Sequence, residues 1–316
     1  MRGHWFTAAA AAGGLGLAYA AGVEVRNFVV RQVNVACLPS GHAPIRVLHF
    51  SDLHLVPSQH KKIEWIRSLA SWAPDLVIDT GDNIAHRDAV PVLIDALGDL
   101  LDVPGVFVPG SNDYFEPSVR NPVRYLLPDN GRRHIDKPQL PWPTMHGVFE
   151  RRGWLNLSNA VGTLDVLGTR FGLAGLDDPH LSRDDLSVIA DVDTDVDLLV
   201  GVAHAPYLRV LDAFANAGFD FTFAGHTHGG QLCLPYFGAL VTNCDLETGR
   251  AKGLHRHPAN STPLDPDSTW LHVSAGAGTS PYAPVRFFCR PEATLLTLSP
   301  TEVGRVRTQV KEVVNL

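Results

Sequence analysis

Six residues of this 316-residue chain carry side chains that bind divalent metals well, and each stands where a short apolar run stops. Asp52 and His54 follow the run 45–50, and Asp82 follows 75–79. His204 ends the run 197–203, and His226 and His228 follow 219–223. Two carboxylates and four imidazoles, with no thiolate, suit Mn, Fe or Zn and not Ca or Mg alone. Two such ions about 4 Å apart would form a centre that activates water and neutralises a phosphoryl group.

Taken singly, most of these signals are weak. An Asp-x-His pair arises often by chance, and an Asp after Gly81 is ordinary at a helix start. A histidine such as His204, just after an apolar run, is more often a hydrogen-bonded strand end. The segment Gly225-His226-Thr227-His228-Gly229-Gly230 is sharper, because flanking glycines let backbone pack close. Alternate residues of an extended segment share one side. Asp52 with His54, and His226 with His228, are therefore expected to point as pairs into one site. Their conjunction, each at a run's end, is far less expected by chance than any one alone.

The runs themselves read as a layered α/β protein. The segment 45–50 reads as a buried strand, 61–72 as a helix, 75–79 as a strand, 90–101 as a helix and 106–108 as a strand. That is a βαβ rhythm. Residues 164–167 and 170–173 read as a hairpin. Residues 197–203, 219–223, 270–274 and 293–298 read as further strands, and 208–217 as a helix. In open α/β sheets ligands bind outside the carboxyl ends of strands, which is where the six residues fall. The Pro-rich stretch 116–150 is expected to be an irregular insertion. Residues 25–44 are expected to add strands to a core domain spanning 45–300, and 301–316 to form a tail.

Composition narrows the partners. The net charge is −7, so no nucleic-acid partner is indicated, and an anionic substrate must be drawn in locally. Cys37, Cys233, Cys244 and Cys289 form no CxxC pair, so a structural zinc site is not expected. Residues 6–23 carry no charge and include Ala18-Tyr19-Ala20. Residues 1–24 are expected to anchor the chain in the cell membrane; the alternative is export after cleavage of a signal segment.

The order Asp-x-His, Gly-Asp, a Gly-Asn-His-Asp-like loop, His and Gly-His-x-His resembles the calcineurin-like metallophosphoesterase family, in particular a bacterial membrane-associated or exported branch. Ser51-Asp52-Leu53-His54, Thr80-Gly81-Asp82, Gly175-Leu176-Asp177-Asp178 and the stretch from Gly278 through Arg286 to Glu292 carry that resemblance. It implies two packed mixed β-sheets flanked by helices, a four-layer α/β sandwich. It implies that Asp52, His54 and His228 hold one metal ion, that His204 and His226 hold the other, and that Asp82 bridges them. It also implies hydrolysis of a phosphate ester, a diester or pyrophosphate-type bond, by a hydroxide bridging the ions. The substrate would be a phosphorylated small molecule or lipid.

One departure from the family matters. Where the family has Gly-Asn-His-Asp, this chain has Gly110-Ser111-Asn112-Asp113. An amide cannot act as a general acid, and loss of one typically costs about 10²–10⁴-fold in rate. Asn112 is expected to take over as metal ligand and to touch the phosphate. Otherwise the substrate has a leaving group that needs no acid, or His86 or His180 stands in as proton donor or substrate contact; Arg286 is expected to hold phosphoryl oxygens. The alternative is a metalloprotein that binds phosphate ligands with little or no turnover.

Overall fold

The computed structural model describes residues 13–119, 135–263, 265, 267–301 and 309–313. In chain order its strands are β1 (Val29–Leu38), β2 (Ile45–Phe50), β3 (Leu76–Asp79), β4 (Gly105–Phe107), β5 (Leu155–Asn156), β6 (Ala160–Val166), β7 (Thr169–Gly175) and β8 (Leu198–Ala203). There follow β9 (Phe221–Ala224), β10 (Cys233–Leu234), β11 (Gly238–Ala239), β12 (Gly253–His257), β13 (Thr269–Val273), β14 (Glu292–Pro300) and β15 (Gln309–Val313). One sheet has the order β15-β1-β14-β2-β3-β4-β5, and a second the order β12-β13-β9-β8-β7-β6. Both are mixed. Strands β2 to β5 are parallel while β14 is antiparallel to β2; β7, β8, β9 and β13 are parallel between antiparallel edges.

The alternation of side chains along each strand builds the layers. In β2, Ile45 and Val47 enter a core shared with Val200, Val202, Phe221 and Phe223 of the second sheet. Leu48 and Phe50 point the other way, under the helices His60–Ser68 and Ala89–Leu97. On the far side, helix Leu208–Asn216 lays Val210 and Phe214 against Ala174 and Leu176. The result is helix, sheet, sheet, helix: the four-layer sandwich expected from the sequence.

Two boundaries differ from the sequence reading. Part of the stretch 116–150, residues 120–134, lies outside the described residues; 116–119 and 135–141 are irregular as expected, but 142–150 are not. Trp142–Arg151 is a helix, and Pro143 in its first turn is a helix starter, since the first turn needs no intrahelical N–H. Its Met145 and Phe149 are fully buried, and Phe149 packs between Phe107 and Trp154 at ring separations of 5.2 and 5.1 Å. The expected tail holds β15, which pairs antiparallel with β1 at the sheet edge. At the amino terminus, residues 13–22 are helical. No helix among the described residues is long and apolar enough to cross a membrane, and the first part of the expected anchor lies outside them.

Because Phe149 fills the space between β4 and Trp154, Phe149→Ala is expected to lower stability by roughly 3–5 kcal/mol. Urea unfolding checks this; a loss below about 1 kcal/mol would return this helix to the status of an appendage.

Candidate metal centre

The loops that follow β2, β3, β8 and β9 meet at one end of the sandwich. They do so in an unusual backbone state. Asp52, His54, Asp82, His226 and His228 all have positive φ, between 42° and 69°. Non-glycine residues rarely hold this conformation, and each costs of order 1–3 kcal/mol unless its surroundings enforce it. The pairs Asp52/His54 and His226/His228 are therefore not on extended strands, as the spacing predicts. Alternating left-handed residues turn both members of each pair to the same side.

Hydrogen bonds enforce these turns. Asp52 N–H donates to Gly81 O at 2.8 Å and His54 N–H to Asp82 O at 2.9 Å, zipping the loops after β2 and β3 together. The buried Asp113 carboxylate accepts from the N–H groups of Asp82 (2.8 Å), Asn83 (2.7 Å) and Gly110 (2.9 Å). Lys62, also buried, donates to Leu53 O at 2.6 Å. Two glycines admit the closest approaches. A Cβ on Gly110 would lie 2.2 Å from Asp82 Oδ1, and one on Gly225 1.9 Å from Ser51 Oγ.

The side chains then converge. The ligand atoms of Asp52, His54 and His228 all lie within 4.8 Å of one another, as do those of Asp52, Asp82 and His204. Asp82 Oδ2 stands 3.5 Å from His54 Nε2 and 3.5 Å from His204 Nε2, midway between the two groups. Asp52 Oδ1 stands 3.4 Å from His228 Nε2, and the two Nε2 atoms of His54 and His228 are 3.1 Å apart.

The free valences point inward. Asp52 Oδ2 accepts from Ser51 Oγ at 2.5 Å and His226 N–H at 3.0 Å, while Asp52 Oδ1 is buried without a hydrogen-bond partner. His204 Nδ1 lies 2.6 Å from Thr80 O and His228 Nδ1 lies 3.1 Å from Gly278 O. A carbonyl only accepts, so each Nδ1 carries the proton and each Nε2 keeps its lone pair for the centre. His204 Nε2 is buried with no hydrogen-bond partner. Buried polar atoms in such positions are rare unless an ion or water satisfies them. Two buried carboxylates facing imidazole lone pairs fit divalent cations.

The electrostatics favour neutral rings at His54 and His228, whereas at His204 the carboxylates hold a proton that a cation would displace. Burial drives His54 down to about 4, against the pull of Asp82, and holds His228 well below its ordinary value with His54 adding to the effect. Both rings are neutral at pH 7, as metal ligation requires. Burial raises Asp52 to about 6, with His204 opposing and the Asp82 charge adding. His204 moves the other way: burial lowers it, but Asp82 and Asp52 together raise it well above its ordinary value. A buried anion pair of this kind needs a compensating positive charge.

The remaining candidates stand at increasing distances from this cluster. Asn112 is at the centre: its N–H and Nδ2 donate to the two oxygens of Asp82 at 2.7 and 2.6 Å. His226 stands beside the cluster and in neither close trio. Its ring is 5.3 Å from that of His204, and its Nε2 meets Asn243 O at 3.1 Å, which leaves Nδ1 as its lone-pair nitrogen. His180 is one ring further out, 4.6 Å from His226 and hydrogen-bonded to Tyr207 OH at 3.1 Å. His86 is exposed and turned to Asp88, accepting from its N–H at 3.1 Å.

Arg286 requires a correction. It is fully buried, and its guanidinium donates to the carbonyls of Ala275 (2.8 Å), Gly276 (3.0 Å) and Gly278 (2.7 Å). Its donors clamp the loop that receives His228, so it is a strut and not a phosphate contact. The supports Lys62, Ser51 and Asp113 were not assigned roles from sequence. Ser51 and Asp113 stand within sequence motifs without a role of their own, Asp113 three residues after the helix-capping Gly110, and Lys62 left no trace.

The chain is also similar in sequence to known proteins. The family model described as calcineurin-like phosphoesterase matches residues 45–230. The uncharacterized metallophosphoesterase YkuE of Bacillus subtilis is 24% identical over 298 residues, covering 92% of each chain. The uncharacterized metallophosphoesterase Cj0846 of Campylobacter jejuni is 27% identical over 274 residues, covering 85% of this chain and 63% of the relative. With more than half of its length under that model, and a buried cluster built for divalent cations, the chain belongs to the calcineurin-like phosphoesterase family and is a metal-dependent phosphoesterase.

Proposed function

We propose that this chain hydrolyses a diester or pyrophosphate-type bond whose leaving group departs as an anion without needing a proton. The observation that carries this is Asn112. The side chain laid against Asp82 at the end of β4 is an amide, where a proton donor would serve an alkoxide leaving group. A phosphate leaving group is a stable anion at neutral pH.

Asp52, His54 and His228 would hold one ion; His204 and His226 the other, with Asp82 shared. The neutral imidazoles and hard carboxylates favour Mn, Fe or Zn. Bound there, the ions would supply Lewis acidity and a water-derived nucleophile. The chain's own residues do the rest. Asn112, turned end for end, offers its amide oxygen as a ligand, and its backbone stays fixed by Asp82. His180 and Tyr207, joined at 3.1 Å, line the approach beside His226 and are placed to contact the ester's oxygens. The uncharged run 6–23 supports attachment to the cell membrane, or export where that run is cleaved, and a phosphorylated small molecule or lipid as substrate. The altered loop also favours a second reading, phosphate binding without turnover.

EDTA is expected to abolish hydrolysis of bis-p-nitrophenyl phosphate and Mn to restore it. Pyrophosphate-type bonds should be cleaved about 10²–10⁴-fold faster than alkyl esters, measured as kcat/KM across leaving groups. Equal rates would exclude the leaving-group argument, and tight phosphate binding with no turnover of any ester would favour the second reading. Asn112→Ala is expected to retain fewer than two ions per chain by elemental analysis; full retention would remove Asn112 from the ligand set. Arg286→Met should cost roughly 3 kcal/mol or more in stability, because it leaves buried carbonyls unpaired. The KM of its fully metal-loaded fraction should stay within about twofold of the parent, whereas a phosphate contact would raise KM alone.

A further inference from the structure

The segment that follows the last histidine of the metal centre makes an excursion to the surface. It leaves at His228, forms the hairpin β10–β11, and returns at Asn243, whose carbonyl meets His226. The hairpin tip is apolar and exposed: Leu234, Tyr236 and Phe237 bury nothing among the described residues to match their size, and Tyr236 is fully exposed. Neighbouring segments add to it. Cys233 N–H donates to Phe287 O at 2.8 Å, which seats the hairpin against the loop bearing the exposed Tyr282 and Phe288. Arg286 N–H donates to Ala20 O at 3.2 Å, which seats the same loop against helix 13–22 with its exposed Leu15 and Tyr19.

Between that helix and residues 287–290 lies a cleft of about 640 Å³ lined by Leu15, Tyr19, Phe287 and Phe288 together with Arg31, Lys252 and Arg290; the hairpin does not line it. One acid, Glu24, lines it too, and its carboxylate accepts from Cys289 N–H at 2.5 Å. Arg31 is paired with the buried Glu292 and Arg290 donates to Asn27, yet with Lys252 these cations still outnumber the acids Glu24 and Glu292 beside the exposed aromatics. Aromatic side chains with flanking cations are the composition of surfaces that sit at the headgroup level of an anionic bilayer. The patch also continues directly into the uncharged run 6–23.

We infer that the hairpin tip, the loop 280–288 and helix 13–22 form one face that docks on an anionic lipid bilayer and holds the rim of the metal centre at the membrane surface. This goes beyond the attachment proposed for the amino-terminal run, because it assigns a second contact made by the folded domain. It does not depend on which ester is cleaved.

The test uses the full chain with vesicles of phosphatidylcholine and phosphatidylglycerol. Amide hydrogen exchange in 233–239 and 280–288 is expected to slow by about tenfold or more on these vesicles. In Tyr236→Ser/Phe237→Ser that protection should disappear, with hydrolysis of a soluble p-nitrophenyl ester unchanged. Flotation of the whole chain without protection of the hairpin would overturn the inference while leaving amino-terminal attachment standing. Protection that grows with protein concentration in the absence of vesicles would make a second copy the occupant and would also overturn it.

Discussion

Asp52 and Asp82 bury two carboxylates within one small cavity, and the rest of the site answers that constraint. An uncompensated buried charge costs several kcal/mol, so such a pair persists only where cations or charged donors meet it. Here the answer is built from both sheets. His54 comes from the loop after β2, His204 from the end of β8, and His228 from the loop after β9. The outer nitrogens of His204 and His228 are held by backbone carbonyls at Thr80 and Gly278, so their inner ones converge on the carboxylates. The sandwich is the device that brings these strand ends together.

Holding that geometry requires backbone that most residues avoid. Five of the expected ligands have positive φ, and the strain is sustained by groups that touch neither ion nor substrate. Asp113 collects the N–H groups of two loops on one carboxylate, and Lys62 and Arg286 hold carbonyls of two others. Each of these charged residues is buried because its partners are backbone dipoles fixed in place, not because another side chain neutralises it. A site supported this way resists collapse when the ions leave, yet is sensitive to the loss of any one strut.

The loop after β4 sets the chemistry apart from the fold. Asp113 ties this loop to the one after β3 by accepting from the N–H groups of Gly110, Asp82 and Asn83, a hold that does not use the side chains of Ser111 and Asn112. Asn112 keeps a polar group against Asp82 while giving up the ability to donate a proton at neutral pH. Scaffold and reactivity are thus carried by adjacent residues with separate physical tasks.

Much was legible in the amino-acid sequence. The apolar runs at 45–50, 76–79, 198–203 and 221–224 are strands because buried parallel strands need apolar side chains on both faces, and the polar residues after them mark the sheet's ligand-binding edge. The identity of Asp52, His54, Asp82, His204 and His228 as a cluster followed from that pattern. The sequence did not reveal the left-handed turns, since φ depends on hydrogen bonds from loops distant along the chain. Nor did it separate Arg286 from a substrate contact: a guanidinium serves carbonyls and phosphates equally well, and only burial among Ala275, Gly276 and Gly278 decides which. The prolines of 138–143 read as breakers, yet Pro143 starts a helix, because a proline's effect depends on where the turn begins. Residue types and order fixed which atoms can bind metals; tertiary packing alone decided which donors were already spent on the backbone, and so which remained for chemistry.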